Sequence, residues 1–142
     1  METKFNSQIC TTREQSERLI ALGLKKETAD MALVSLMEWD DCTAQEYFTG
    51  IYTARAKEDA ERYGLDYTHA WSLHRLIEMM PKNIAIDGDT AYPLQVQKRS
   101  DGKWCVGYQG WYDCVGVLYD SVIWIYQLLI SEGYLDEFCN KG

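Results

Sequence analysis

The stretch "VIWIYQLLI", Val122 to Ile130, constrains the fold more than any other part of the chain, because Gln127 is its only polar residue. Its surroundings extend the pattern into a helix from about Leu118 to Glu132, with Asp120 or Ser121 as the cap and Gly133 as the stop. A helix that is apolar all round must be covered on more than one side. At nine residues the run falls well short of the roughly 20 apolar residues that span a bilayer. The expectation is therefore a central helix with one face on a β-hairpin and the other under the amino-terminal half or a second subunit, which makes a homodimer a candidate arrangement.

A chain of 142 residues can supply such a cover as one domain, residues 1–142, since a domain of this size buries roughly two-thirds of the surface its unfolded chain exposes. Hydrophobic residues at 46% and charged residues at 25% are ordinary for a folded globular chain and argue against disorder. No linker, internal repeat or low-complexity tract divides the sequence.

The covering elements are partly legible. In "TTREQSERLIALGL", Thr11 or Thr12 can cap a helix with Glu14 or Gln15 at the reciprocal position, and Gly23 is placed to end it. "TARAKEDAERYG" consists of good helix formers and ends in a glycine, whereas "MALVSLMEWDD" has an apolar half followed by acids and no clear period. In "HAWSLHRLIEMMP", Ser72 can cap a helix whose stripe is Leu73, Leu76, Ile77 and Met80; Trp71 packs back on it, and Pro81 ends it. "YPLQVQKRSDGKWCVGY" alternates on both sides of an Asp-Gly turn and predicts a β-hairpin, with Pro93 at a strand start or on an edge. "IAIDGD", Ile84 to Asp89, adds a third short strand. The fold class expected is α+β, with helices packed on a small antiparallel sheet that contains the hairpin.

Fourteen basic and 22 acidic residues give a net charge of −8. The excess lies in two places: residues 37–66 hold eight acids against three bases, and residues 112–142 hold five against one. Such a surface repels nucleic-acid phosphates, argues against direct nucleic-acid binding, and suits a basic or DNA-binding protein partner, including one for which the chain mimics nucleic-acid charge. The amino terminus lacks the basic start and apolar core of a signal peptide, which points to the cytoplasm and away from a membrane. Five cysteines, widely spaced and without a C-x-x-C pair, predict free packed thiols in preference to a disulfide framework or zinc knuckle.

Candidate chemistry is sparse. His69 and His74 are the only histidines; five apart across a helix start, they point away from each other, so a metal or general-base role is outweighed by surface positions. Carboxylates cluster at Glu38, Asp40 and Asp41 and at Asp87 and Asp89, where ordinary turn chemistry accounts for them. No nucleophile elbow, phosphate loop, dinucleotide fingerprint or H-E-x-x-H occurs, and no cofactor is implied. Aromatic residues interleaved with acids, among them Tyr47 and Tyr52, give residues 37–66 the composition of a protein interface.

"CTTREQSERLIALGL", "TADM", "AWSLHRLIEMMP", "WCVGYQG" and "ISEGYL", in this order, resemble a group of uncharacterised small proteins of phages and integrated mobile elements of gut anaerobic bacteria. The resemblance spans most of the chain except roughly residues 37–66, and implies a mobile-element origin and an α+β fold without a mechanism to carry over. The functional expectation is a non-enzymatic protein that binds a host or phage protein through Asp40, Asp41, Tyr47, Tyr52, Glu58 and Asp59. The alternative is a small hydrolase or metal-dependent enzyme using His69, His74 and nearby carboxylates.

Overall fold

The computed structural model describes residues 8–37, 43–49, 52–85, 90–113 and 117–140. Among the described residues, four α-helices, α1 (Arg13–Ala21), α2 (Tyr52–Tyr63), α3 (Leu73–Met79) and α4 (Leu118–Ser131), combine with eight strands and two 3-10 turns. The strands are β1 (Met31–Met37), β2 (Thr43–Thr49), β3 (Asp66–Ala70), β4 (Asn83–Ile84), β5 (Tyr92–Pro93), β6 (Gln95–Lys98), β7 (Trp104–Tyr108) and β8 (Trp111–Asp113). They form three small antiparallel sheets ordered β2-β1-β3, β4-β5 and β6-β7-β8. The α+β class expected from the sequence is the class observed.

Helix α4 is the centre of the main core. Val122, Ile125, Tyr126 and Leu129 are fully buried among Leu19, Leu24, Trp71, Leu76, Val106 and Tyr108, so α1, α3 and strand β7 of the hairpin supply the cover. Only one line of the helix reaches the surface, with Trp124 39% exposed. The Tyr126 hydroxyl donates to the Leu76 carbonyl and the Tyr108 hydroxyl to that of Pro81, joining α4 to the middle of α3 and β7 to the segment that follows it. Burial pushes both phenols well above the ordinary tyrosine range.

The cap expected for α4 is not the one found. Val117 is the N-cap and makes no side-chain capping bond. Asp120 instead accepts from Gln15 Nε2 of α1 at 2.8 Å, and Ser121 faces the interior, where its hydroxyl has no partner among the described residues. The cap of α1 does follow the sequence pattern: Thr12 accepts from Gln15 N at 3.1 Å, and the Gln15 side chain accepts from Thr12 N at 3.0 Å.

"MALVSLM", which the sequence left unassigned, forms the central strand β1. Met31 and Leu33 lie on one face with Cys10 and Ala70, while Val34 lies on the other with Ala56 and Ala60 of α2. A strand covered on both faces reads as a continuous apolar run, which explains why its period was hidden. Burial, with Asp30 nearby, pushes the Cys10 thiol up to about 12.

The hairpin turns where expected. Arg99 O accepts from Gly102 N at 2.9 Å, and Gly102 takes φ +87°, a conformation other residues rarely adopt. Two details differ from expectation. Of the short strand expected at Ile84 to Asp89, Ile84 belongs to β4, which starts at Asn83, while residues 86–89 lie outside those described; and β8 adds a strand at Trp111–Asp113 that no sequence signal marked. Cys105 is disulfide-bonded, whereas Cys10 and Cys139 are free, which corrects the expectation of free thiols throughout. Among the described residues no helix is long and apolar enough to cross a membrane.

Candidate functional site

The conspicuous residues of the sequence are tied up in structure. Trp71 is fully buried; its indole donates to Thr28 Oγ1 at 3.0 Å and its backbone N–H to Thr11 Oγ1 at 3.0 Å. Thr11 N in turn donates to Trp71 O at 2.9 Å. Ser72 caps α3 by accepting from Arg75 N at 3.1 Å, and Asp30 takes both the Ser72 amide, at 2.8 Å, and its hydroxyl. Arg75 Nε closes the loop on Thr28 O at 2.9 Å. The segments "CTTREQS", "TADM" and "AWSLHR" thus form one hydrogen-bonded node, buried at Thr11, Thr28 and Trp71 and half-buried at Asp30, Ser72 and Arg75, at the meeting point of α1, β1 and α3.

The two histidines are not brought together. His74 stands on the outer face of α3 with its side chain 87% exposed, 3.3 Å from Glu78. His69 was expected in an exposed cap region; it lies instead in β3, half-buried, with its ring edge-on to Tyr67 at 5.0 Å. No group of three His, Cys, Asp or Glu residues suited to a metal exists among the described residues.

The strand pairing explains where His69 points. His69 opposes Ala32 and Tyr67 opposes Val34, which puts both rings on the sheet face that α2 covers. There, α2 and the 3-10 turn at Lys26–Thr28 leave an open cleft of about 420 Å³ lined by Lys26, Glu27, Lys57, Glu61, Tyr67 and His69. Burial and the charges of Lys57 and Lys26 lower the His69 pKa, against a smaller opposing pull from Glu27. Among the described residues neither lysine is engaged in an ion pair. Sequence reasoning missed this cleft because its charges come from separate segments joined only by packing.

Of the residues expected to bind a partner, Glu58 and Asp59 are exposed on α2, Tyr47 lies in β2 and Tyr52 is the first residue of α2. Asp40 and Asp41 lie outside the described residues. With Ala56 and Ala60 buried, the helical period sets Lys57 and Glu61 on the cleft side and Asp59 and Tyr63 on the other. Tyr63 is 68% exposed. Helix α2 carries three bases, Arg55, Lys57 and Arg62, against three acids, Glu58, Asp59 and Glu61, so the acidic excess of residues 37–66 lies outside it.

A second concavity, about 530 Å³, lies on the β6–β7 hairpin and is lined by Gln95, Gln97, Arg99, Cys105 and Gln109. Comparison with known protein families, with curated proteins and with solved structures found no match for this chain.

Proposed function

We propose that the chain is a non-enzymatic protein of a phage or mobile element that binds a host or phage protein in the cytoplasm through the outer side of α2 and the adjoining residues 37–51. The observation that carries this reading is Tyr63, the most exposed large hydrophobic residue described, standing one turn from Asp59 on a helix whose small residues face inward. A ring held on a rigid helix and rimmed by charges contributes contact area with little loss of side-chain freedom. The mixed charges of α2 suit a partner surface with charges of both signs, with the strongly acidic neighbouring segment adding attraction for a basic or DNA-binding protein.

The test is affinity capture from host lysate with and without nuclease, followed by the same capture with Glu58→Lys, Asp59→Lys and Tyr63→Ala. A stoichiometric, nuclease-resistant partner is expected, and the variants release it while leaving the thermal melt unchanged. Equal retention by wild type and variants would falsify the reading.

A homodimer is the second reading, favoured by Trp124 of α4 at 39% exposure and by its N-cap Val117 at 50%, two turns earlier. Light scattering that finds only monomer at high concentration overturns it.

A further inference from the structure

We infer that the cleft between α2, β3 and the Lys26–Thr28 turn binds a small oxyanion, a phosphate group held by the Lys26 and Lys57 ammonium groups beside the imidazole of His69. This site lies on the opposite side of α2 from Tyr63 and does not depend on the partner-binding reading.

Three observations carry it. The two lysines come from different elements and line one concavity of about 420 Å³ with His69, although the chain as a whole is acidic at −8. Among the described residues those lysines are not neutralised by an ion pair, so their donors are available. The imidazole is held half-buried against the edge of Tyr67, whose hydroxyl donates to Thr53 O at 3.4 Å, so the ring is positioned before any ligand arrives.

The charges facing His69 also define what the site excludes. Lys26 and Glu27 come from the turn, Lys57 and Glu61 from α2, and Tyr67 from β3 itself. Two lysines and two glutamates balance, so a nucleic-acid strand with a continuous run of phosphates meets repulsion from Glu27 and Glu61. A single phosphate group engages the two ammonium groups without that continuous run of charge. Burial, with Lys57 and Lys26, holds the His69 pKa down; an oxyanion between the lysines offsets their share and raises the midpoint of protonation of the imidazole.

The chain holds only two histidines, which makes the experiment direct. The imidazole resonances of the ¹⁵N-labelled full chain are followed while inorganic phosphate, or glycerol phosphate in a parallel arm, is titrated at constant ionic strength against chloride. Saturable shifts at His69 with a raised midpoint of protonation are expected, with His74 unmoved. Lys57→Met is expected to weaken half-saturation by about tenfold, as for loss of one charge-assisted hydrogen bond. Tighter binding of glycerol phosphate identifies a phosphate monoester as the ligand class, and equal or tighter binding of inorganic phosphate identifies the free oxyanion. Shifts that do not saturate, that chloride reproduces, or that survive in the Lys26→Met, Lys57→Met double variant overturn the site. Both lysines are exposed, and an unchanged backbone spectrum verifies that the variants fold.

Discussion

Asp30 shows how much structure one side chain can hold. Its carboxylate accepts two hydrogen bonds from Ser72, one from the amide and one from the hydroxyl that also caps α3. Asp30→Ala leaves both donors in a half-buried place, and we expect a loss of about 1–3 kcal/mol in urea denaturation, with Asp30→Asn recovering part of it. His69 contributes differently. The unfolded chain protonates it near the ordinary value of 6.5, whereas the folded chain does so only at lower pH, so between the two values the unfolded state holds more protons. Its contribution to stability is complete above 6.5 and is lost as pH falls through the lowered folded value. Stability measured across that window should fall less steeply in His69→Gln than in wild type, and parallel curves would remove His69 from the account.

At the scale of elements, the signals that worked were local ones. Ser72 before Leu73 and Asp101-Gly102 between alternating strands each satisfy or bend the backbone within a few residues, so the sequence alone identifies them, and it narrows the α1 cap to Thr11 or Thr12 with Glu14 or Gln15, of which the structure selects Thr12 with Gln15. Gly102→Ala forces a residue with a Cβ into φ +87°, although nothing lies within 4 Å of the added atom. The cost should be the backbone term alone, about 1–2 kcal/mol, read from the denaturation midpoint. A markedly larger loss would mean that the hairpin unpairs. The signals that failed were tertiary. Asp120 resembles a cap, but Gln15 of α1 claims its carboxylate; β8 is three residues long, and its pairing with β7 carries what its length cannot.

For the whole molecule, the main core depends on α4 more than on any other helix. Leu129 is fully buried there, and Leu129→Ala should cost about 2–5 kcal/mol, visible as a lowered thermal midpoint. Because α1, α3 and the hairpin all pack against this helix, loss of the contact should loosen elements distant in sequence, and hydrogen exchange should rise in α1 as well as in α4. Exchange that rises only within α4 would show that the helix and its cover are independent. The sheet under α2 is a separate matter: its clusters are small, built on Cys10, Met31, Leu33 and Ala70 on one face and on Val34, Ala56 and Ala60 on the other. The cleft and the exposed side of α2 both belong to this lighter half.

The sequence by itself determined the α+β class, the central apolar helix, the caps of α1 and α3 and the hairpin, because each rests on periodicity or on bonds between near neighbours. It also gave the net charge and the exposed Glu58 and Asp59. Tertiary structure alone decided that "MALVSLM" is a strand, that Trp71 is locked to Thr28, and that Cys105 is oxidised. It alone joined Lys26, Lys57 and His69 in one cleft. Those residues are separated by many positions along the chain, and the energy that brings them together is the burial of apolar surface, which has no direction of its own and leaves no local pattern to read.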